Sequence, residues 1–193
     1  NNFDKFDYIF VHSNHAKSIL DSYHKNIIVT GFFSLDRCFF PKNTSKILHF
    51  KGKSIQKNTE ILYDCKDIKI LDSKINYLTE NQVIEELNNH DIHICCSLYE
   101  GWGHYLWEAM SCGKLVICSE IPVFKEYLDP SLVRFVSIDK IVNFDTSYRF
   151  LDKKEYPFRE GYFIDRCKFE ELIQNVDELL EFQRKNTVNI RNH

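Results

Sequence analysis

Ile92-His93-Ile94-Cys95-Cys96-Ser97-Leu98-Tyr99-Glu100-Gly101-Trp102-Gly103-His104-Tyr105-Leu106-Trp107-Glu108-Ala109-Met110-Ser111-Cys112-Gly113-Lys114-Leu115-Val116-Ile117-Cys118 is the stretch that decides the fold. Ile92–Cys96 is a short apolar run suited to a buried strand, and the glycines at 101 and 103 interrupt it. The spacing from about His104 to Cys112 predicts a helix, Gly113 supplies its stop, and Leu115–Cys118 is a second apolar strand. Short strands without polar alternation, separated by a helix, belong to a parallel sheet covered on both faces.

The same rhythm extends outward. Downstream, Pro122 opens a short helix carrying Phe124 and Tyr127, and Val133–Ile138 reads as another strand. Upstream, Ile47–Phe50 and Ile68–Leu71 read as strands, with a turn at Lys51-Gly52-Lys53-Ser54 and a short helix near Asn58–Tyr63 between them. Thr79-Glu80-Asn81-Gln82 has the form of a capping box and predicts a helix to about Asn89. Nearer the start, Asp7–His12 reads as a strand, Ser13-Asn14 as an N-cap before a helix with Ala16, Ile19, Leu20 and Tyr23, and Asn26–Thr30 as a strand ending at Gly31. The stretch 32–44 has no steady period, contains Pro41 and reads as a linker. The stretch 139–161 is aromatic and charged, and its pattern assigns no element. A last helix is expected from about Arg166 to Arg184, with Phe169, Leu172, Ile173, Val176, Leu179 and Leu180 as its apolar stripe, followed by a frayed tail at 186–193.

The expected architecture is therefore α/β, a Rossmann-like parallel sheet with helices on both faces. A short remnant of another domain with its linker (1–44) precedes the sheet domain (45–185).

Composition narrows the function classes. The chain has 193 residues, 44% hydrophobic, with only 6 Gly and 4 Pro, enough apolar material for one packed domain and a piece of a second. A formal charge of −3 offers no general attraction to nucleic acid or an anionic membrane, so any anion site is local. No apolar run approaches the roughly 18 residues needed to span a bilayer, and the start has no signal-peptide form. Seven cysteines, several inside apolar runs, fit a reducing cytoplasm. The sole methionine is Met110, so the chain is expected to be an excised part of something longer.

Two loops at strand exits carry the chemistry, because parallel sheets bind ligands beyond the carboxyl ends of their strands. In Gly52-Lys53-Ser54-Ile55-Gln56-Lys57 two lysines stand four residues apart near a helix start, where cations and N–H groups favour a diphosphate. Taken alone, such lysines are ordinarily solvated. In Glu100-Gly101-Trp102-Gly103-His104-Tyr105 the glycines allow close backbone approach and the following helix aims its N–H groups at the same space. Glu108 lies one turn past His104. Glu100 and Glu108 are acceptor-only groups suited to the vicinal hydroxyls of a sugar or ribose. Their spacing alone carries little weight, since Glu170 and Glu178 repeat it inside the last helix.

The run Glu100 to Gly113, followed by Ser119-Glu120-Ile121-Pro122 and Glu126, resembles the E-x7-E signature of the C-terminal donor-binding domain of GT-B glycosyltransferases, in the glycosyl transferases group 1 (GT4-like) family. Gly52-Lys53 with Lys57 is similar to that family's G-R-x(3–4)-K-G loop, and Asp7–Ser13 through Gly31 to the segment closing its N-terminal domain. The resemblance implies that Glu100 takes donor-sugar hydroxyls and Glu108 the nucleotide ribose. It gives Lys53 and Lys57 the role of neutralising the diphosphate, helped by N–H groups around Gly103, His104 and Tyr105, with Gly101, Gly52 and Ser54 completing the substrate-binding loops. It also implies sugar transfer from a nucleotide-diphosphate sugar with retention of configuration, an acceptor site on an N-terminal domain nearly absent here, and little or no activity for the piece alone. The sequence contains no Asp-x-Asp pair, which points to catalysis without a metal or other cofactor. It departs from the family at Lys53, where Arg is usual, and at Asn58, where Gly is usual.

Blander readings accompany these. His90, His93, Cys95 and Cys96 read as structural, because adjacent strand residues point to opposite faces and cannot easily share one metal. Cys112 and Cys118 read as core. Trp102 and Trp107 either pack beside the sheet or stack on a base or sugar. His104 is either a donor to a ligand oxygen or simply the first exposed residue of its helix. A non-catalytic Rossmann-like module that binds a nucleotide or a protein is the alternative function.

Overall fold

The computed structural model describes residues 2–32, 34, 37, 44, 46–52, 55–72, 75–144 and 159–193. Its centre is a five-stranded, all-parallel sheet of β3 (Ile47–Lys51), β4 (Ile68–Asp72), β5 (Ile92–Cys95), β6 (Leu115–Ser119) and β7 (Arg134–Val136), in the order β4-β3-β5-β6-β7. The chain builds leftward from β3 to β4, then crosses back and builds rightward from β5. The strand order therefore reverses between β3 and β5, and beyond the carboxyl ends of the strands at such a reversal is where open α/β sheets bind ligands.

β5 and β6 are buried along their whole length, as expected for strands covered on both sides. Alternation divides their side chains between two cores. Cys95, Val116 and Cys118 face a cluster with Leu106, Met110, Phe124 and Ile190, while Ile92, Ile94, Leu115 and Ile117 face a cluster with Phe169, Leu179 and Leu180.

The helices are α2 (Glu80–Asn88), α3 (His104–Ser111), α4 (Pro122–Tyr127), α5 (Arg166–Gln174) and α6 (Val176–Asn192). The Thr79/Gln82 capping box is formed on both sides. Gly113, at φ +68°, ends α3 with paired bonds from Gly113 N–H to the Met110 carbonyl (2.7 Å) and from Lys114 N–H to the Ala109 carbonyl (3.2 Å). Ahead of the sheet, β1 (Ile9–Val11) and β2 (Ile27–Val29) form a separate parallel pair around α1 (Asn14–Leu20), whose N-cap Ser13 accepts from Ala16 N–H. Glu126 joins this part to the sheet domain by accepting from Asn14 N–H (2.8 Å), Asn14 Nδ2 (2.8 Å) and His15 N–H (3.1 Å), and the Tyr127 hydroxyl donates to the His12 carbonyl at 2.7 Å.

Two expectations need correction. The tail 186–193 is not frayed: α6 continues to Asn192, and Ile190 is fully buried against the first core. The helix expected over 166–184 is two helices, broken at Asn175. The unassigned stretch 139–161 contributes to an antiparallel pair, β8 (Ile138–Phe144) with β9 (Arg159–Ile164).

Candidate functional site

The loops after β3 and β5 meet at the strand-order reversal. Leu98 N–H donates to the Gln56 carbonyl (2.8 Å) and Gln56 Nε2 donates to the Tyr99 carbonyl (2.7 Å). From the other side, Tyr162 N–H of β9 donates to the Leu98 carbonyl at 2.7 Å. The backbone of the acidic loop is thus held on both flanks before any ligand arrives.

This stitching brings Lys57 and Glu100 together. Lys57 Nζ lies 2.6 Å from Oε1 of Glu100 and 3.5 Å from the centroid of the Tyr105 ring. The Lys57 and Glu100 side chains keep 19% and 9% of their exposure. Ser97 Oγ donates to the same Glu100 oxygen at 2.8 Å and lies 2.7 Å from the Tyr105 hydroxyl. An ionised carboxylate only accepts, so the Ser97 proton points at Glu100 and Tyr105 donates to Ser97. Burial pushes the Tyr105 hydroxyl well above its usual range, which keeps that proton in place. Two donors, one of them a cation, are gathered on Oε1 of Glu100.

Beneath the cluster lies His49 of β3, which the sequence reading passed over. Its Nδ1 meets the Ile94 carbonyl at 2.9 Å and its Nε2 meets Thr59 Oγ1 at 2.8 Å. Burial first, then repulsion from Lys57 and Lys51, lowers its pKa to about 4 against the Ile94 bond, so the ring is neutral and Nδ1 carries the proton. A neutral ring adds no positive charge under Lys57. Its only sequence signal is a histidine inside an apolar strand that runs into lysines.

Asn58, where the resemblance calls for glycine, sits at φ 52° and ψ 35°. This left-handed conformation is why glycine suits the position, and asparagine is among the side chains that tolerate it. Gly52 lies against Lys57: a Cβ there would meet Lys57 Cγ at 3.2 Å. Lys53 and Ser54 lie outside the described residues.

The two loop glycines differ. Gly103 has φ +84°, and a Cβ on it would lie 2.7 Å from the Phe124 ring, so packing demands glycine there. Gly101 has nothing within 4 Å of such a Cβ and leaves room for a ligand. Gly103 is also the N-cap of α3 and offers no side-chain cap, which leaves first-turn N–H groups without a side-chain acceptor from the cap residue. His104 opens α3 with Nδ1 3.0 Å from Ser34 Oγ and its ring 4.8 Å from Phe32.

Glu108 is held apart from the Lys57 cluster. Its Oε1 accepts from Arg37 Nη2 at 2.9 Å, and Arg37 also pairs with Glu80 at the start of α2. Burial works against the Arg37 charge, but the bonds and charges of Glu108 and then Glu80 outweigh it and raise its pKa. Arg37 lies in the stretch read as a linker, with no local pattern to single it out.

Trp102 and Trp107 stack on each other, centroids 5.2 Å apart and planes 21° apart, and each indole N–H is used within the protein, toward Ser34 Oγ and the Trp102 carbonyl. They pack on each other, and both line the cavity beside them. That cavity, of about 440 Å³, is also bounded by Phe32, Tyr127, Ile190 and His193, and it shares no lining residue with the Lys57 cluster. His90 and His93 are spent on the Glu86, Leu87 and His90 carbonyls, and among the described residues no group of three or more His, Cys, Asp or Glu is arranged to hold a metal. Cys65, Cys95, Cys96, Cys112, Cys118 and Cys167 are thiols, not disulfides. Among the described residues no helix is long and apolar enough to cross a membrane.

Solved structures share this fold. The chain is similar to sucrose-phosphate synthase from Thermosynechococcus elongatus (TM-score 0.65, 14% identity, 96% of this chain and 53% of that one). It is similar to a glycosyltransferase from Rickettsia africae ESF-5 (TM-score 0.65, 13% identity, 100% and 61%). It is also similar to HepE of Anabaena in complex with UDP and glucose (TM-score 0.60, 11% identity, 98% and 62%). The chain thus spans between 53% and 62% of the length of these structures. No curated protein matches it significantly. Residues 47–140, just under half of the chain, match the family described as glycosyl transferases group 1, and the Rossmann-like parallel sheet is the fold the chain shares with these glycosyltransferase structures.

Proposed function

We propose that this chain is the donor-binding half of a retaining glycosyltransferase that works without a divalent metal and takes its sugar from a nucleotide-diphosphate donor. The observation that carries the reading is the Lys57–Glu100 contact of 2.6 Å at the point where the strand order reverses. A cation, a sugar-binding carboxylate and the N-terminus of α3 around one crevice are what a diphosphate-linked sugar requires. HepE, a neighbour in fold, was solved with UDP and glucose.

In this reading the bond between the anomeric carbon and the diphosphate oxygen breaks, and negative charge grows on the leaving phosphate. Lys57 and the first N–H groups of α3 stabilise that charge more than they stabilise the intact donor, and that difference is what lowers the barrier. Glu100, with Oε1 already engaged by Lys57 and Ser97, presents Oε2 to the sugar hydroxyls. Glu108 takes the ribose hydroxyls, and Lys53 with Ser54 extends the phosphate contacts. The absence of an Asp-x-Asp pair in the sequence supports charge neutralisation by lysine and N–H groups. The acceptor site belongs to an N-terminal domain of the same polypeptide, of which 1–44 is the closing piece, so the chain alone binds donor without turning it over. The buried thiols suit a reducing cytoplasm.

Calorimetric titration of ADP, GDP and UDP into the wild type and Glu108→Ala tests the reading. Binding of one diphosphate that weakens in the variant supports it. Failure of all three to bind the wild type overturns it in favour of a non-catalytic module.

A further inference from the structure

Arg37 reaches across 71 positions to Glu108 and across 43 to Glu80, tying the helix that carries Glu108 to the start of α2. The backbone of Arg37 is fastened too. Its N–H donates to Ser111 Oγ (3.1 Å), whose hydroxyl donates to the Glu108 carbonyl (2.7 Å), and its carbonyl accepts from Asn88 Nδ2 (3.5 Å). The Arg37 side chain keeps only 12% of its exposure, and its buried Nε has no hydrogen-bond partner among the described residues. A side chain this enclosed, on a backbone fixed at both ends, is a rigid mount rather than a surface charge. What it mounts is one oxygen of Glu108, leaving Oε2 without a hydrogen bond among the described residues.

We infer that Arg37 is the positioning residue for ribose recognition, fixing the Glu108 carboxylate so that its remaining acceptor sites match a vicinal diol. The inference rests on the reading of Glu108 as the ribose acceptor. Two hydroxyl donors need two acceptor sites at a set spacing, and a glutamate with three rotatable bonds provides that spacing only when one oxygen is held. The planar guanidinium is suited to the task because its two terminal nitrogens bind two separate carboxylates at once, which a lysine ammonium cannot reproduce with the same geometry. It also neutralises Glu80 and Glu108, which would otherwise repel each other beside the ligand.

The test is the ratio of affinities for a nucleoside diphosphate and its 2′,3′-dideoxy form, measured by calorimetry with whichever of ADP, GDP and UDP binds. The wild type is expected to prefer the ribose form by about tenfold, a preference equivalent to one charge-assisted hydrogen bond. Arg37→Ala and Glu108→Gln should each bring the ratio near unity, and the double variant should lose no more than either. An Arg37→Ala protein that keeps the wild-type ratio while Glu108→Gln loses it overturns the inference. Should circular dichroism find Arg37→Ala unfolded, Arg37→Lys carries the same test: a reduced ratio supports the inference and an unchanged one overturns it. If none of the three diphosphates binds the wild type, the donor-site reading itself falls and this inference falls with it.

Discussion

Lys57 and Glu100, 43 positions apart in sequence, form a 2.6 Å ion pair where the loops leaving β3 and β5 meet. The pair is enclosed on one side by the Tyr105 ring and on another by Ser97. Each partner therefore conditions the other: the ammonium supplies charge to the crevice, and the carboxylate holds the ammonium there.

Replacing Lys57 with methionine keeps the stem and removes the charge. Affinity for a nucleoside diphosphate should drop by roughly tenfold to a hundredfold, the value of one or two hydrogen bonds to a charged group. Calorimetry on the folded variant measures this, and an unchanged affinity would remove Lys57 from the phosphate site.

The two loop glycines should separate stability from binding. Gly103→Ala forces a left-handed residue and a collision with Phe124, and should cost about 2–4 kcal/mol in urea unfolding. Gly101→Ala has open space and should cost under about 1 kcal/mol while weakening ligand binding. Equal stability losses at the two positions would contradict the geometry.

Acid should destabilise the protein through buried histidines. His49, pushed down to about 4, and His93, down to about 3, are lowered mainly by burial, so each takes up a proton on unfolding near its ordinary value of about 6.5. The unfolded state then binds more protons, and stability present above about pH 6.5 is lost as pH falls toward 4. Each histidine contributes up to about 1.4 kcal/mol per pH unit in that window. His49→Gln should flatten the pH dependence of urea unfolding between pH 6.5 and 4, and an unaltered slope would show that His49 is not buried neutral.

The end of α6 is structural. Ile190 is fully buried beside Met110 and Phe124, so Ile190→Ala should cost about 2–5 kcal/mol. Truncation after residue 185 should lower the melting temperature at least as much. A truncated chain that melts with the full one would mean that the last turns are dispensable.

The contrast between Ile190 and the sheet explains what the sequence disclosed. The strands around Ile92–Cys95 and Leu115–Ser119 were legible because full burial leaves unbroken apolar runs, and the cap at Thr79 and the stop at Gly113 are local chemistry. The last turns of α6 were not legible, because Asn186, Asn189 and Asn192 are poor helix formers and the helix there depends on packing around Ile190. The β8–β9 ribbon hid for a related reason. Ile141 is exposed, and the ribbon lacks the unbroken burial that marks β5 and β6. At the site, Lys57, Glu100 and Glu108 announced themselves through glycines and strand exits. Arg37 and His49 did not, since their roles rest on burial and on the partners Glu80, Glu108 and Ile94, 43 to 71 positions away, which only the folded chain brings together.

Glu126 gives the joint between the first thirty residues and the sheet its mechanical character. One carboxylate receives three bonds from Asn14 and His15, with Tyr127 adding a fourth a residue away. The attachment of the segment around α1 to the sheet domain therefore concentrates on one short stretch of α4, and a single side chain carries most of it.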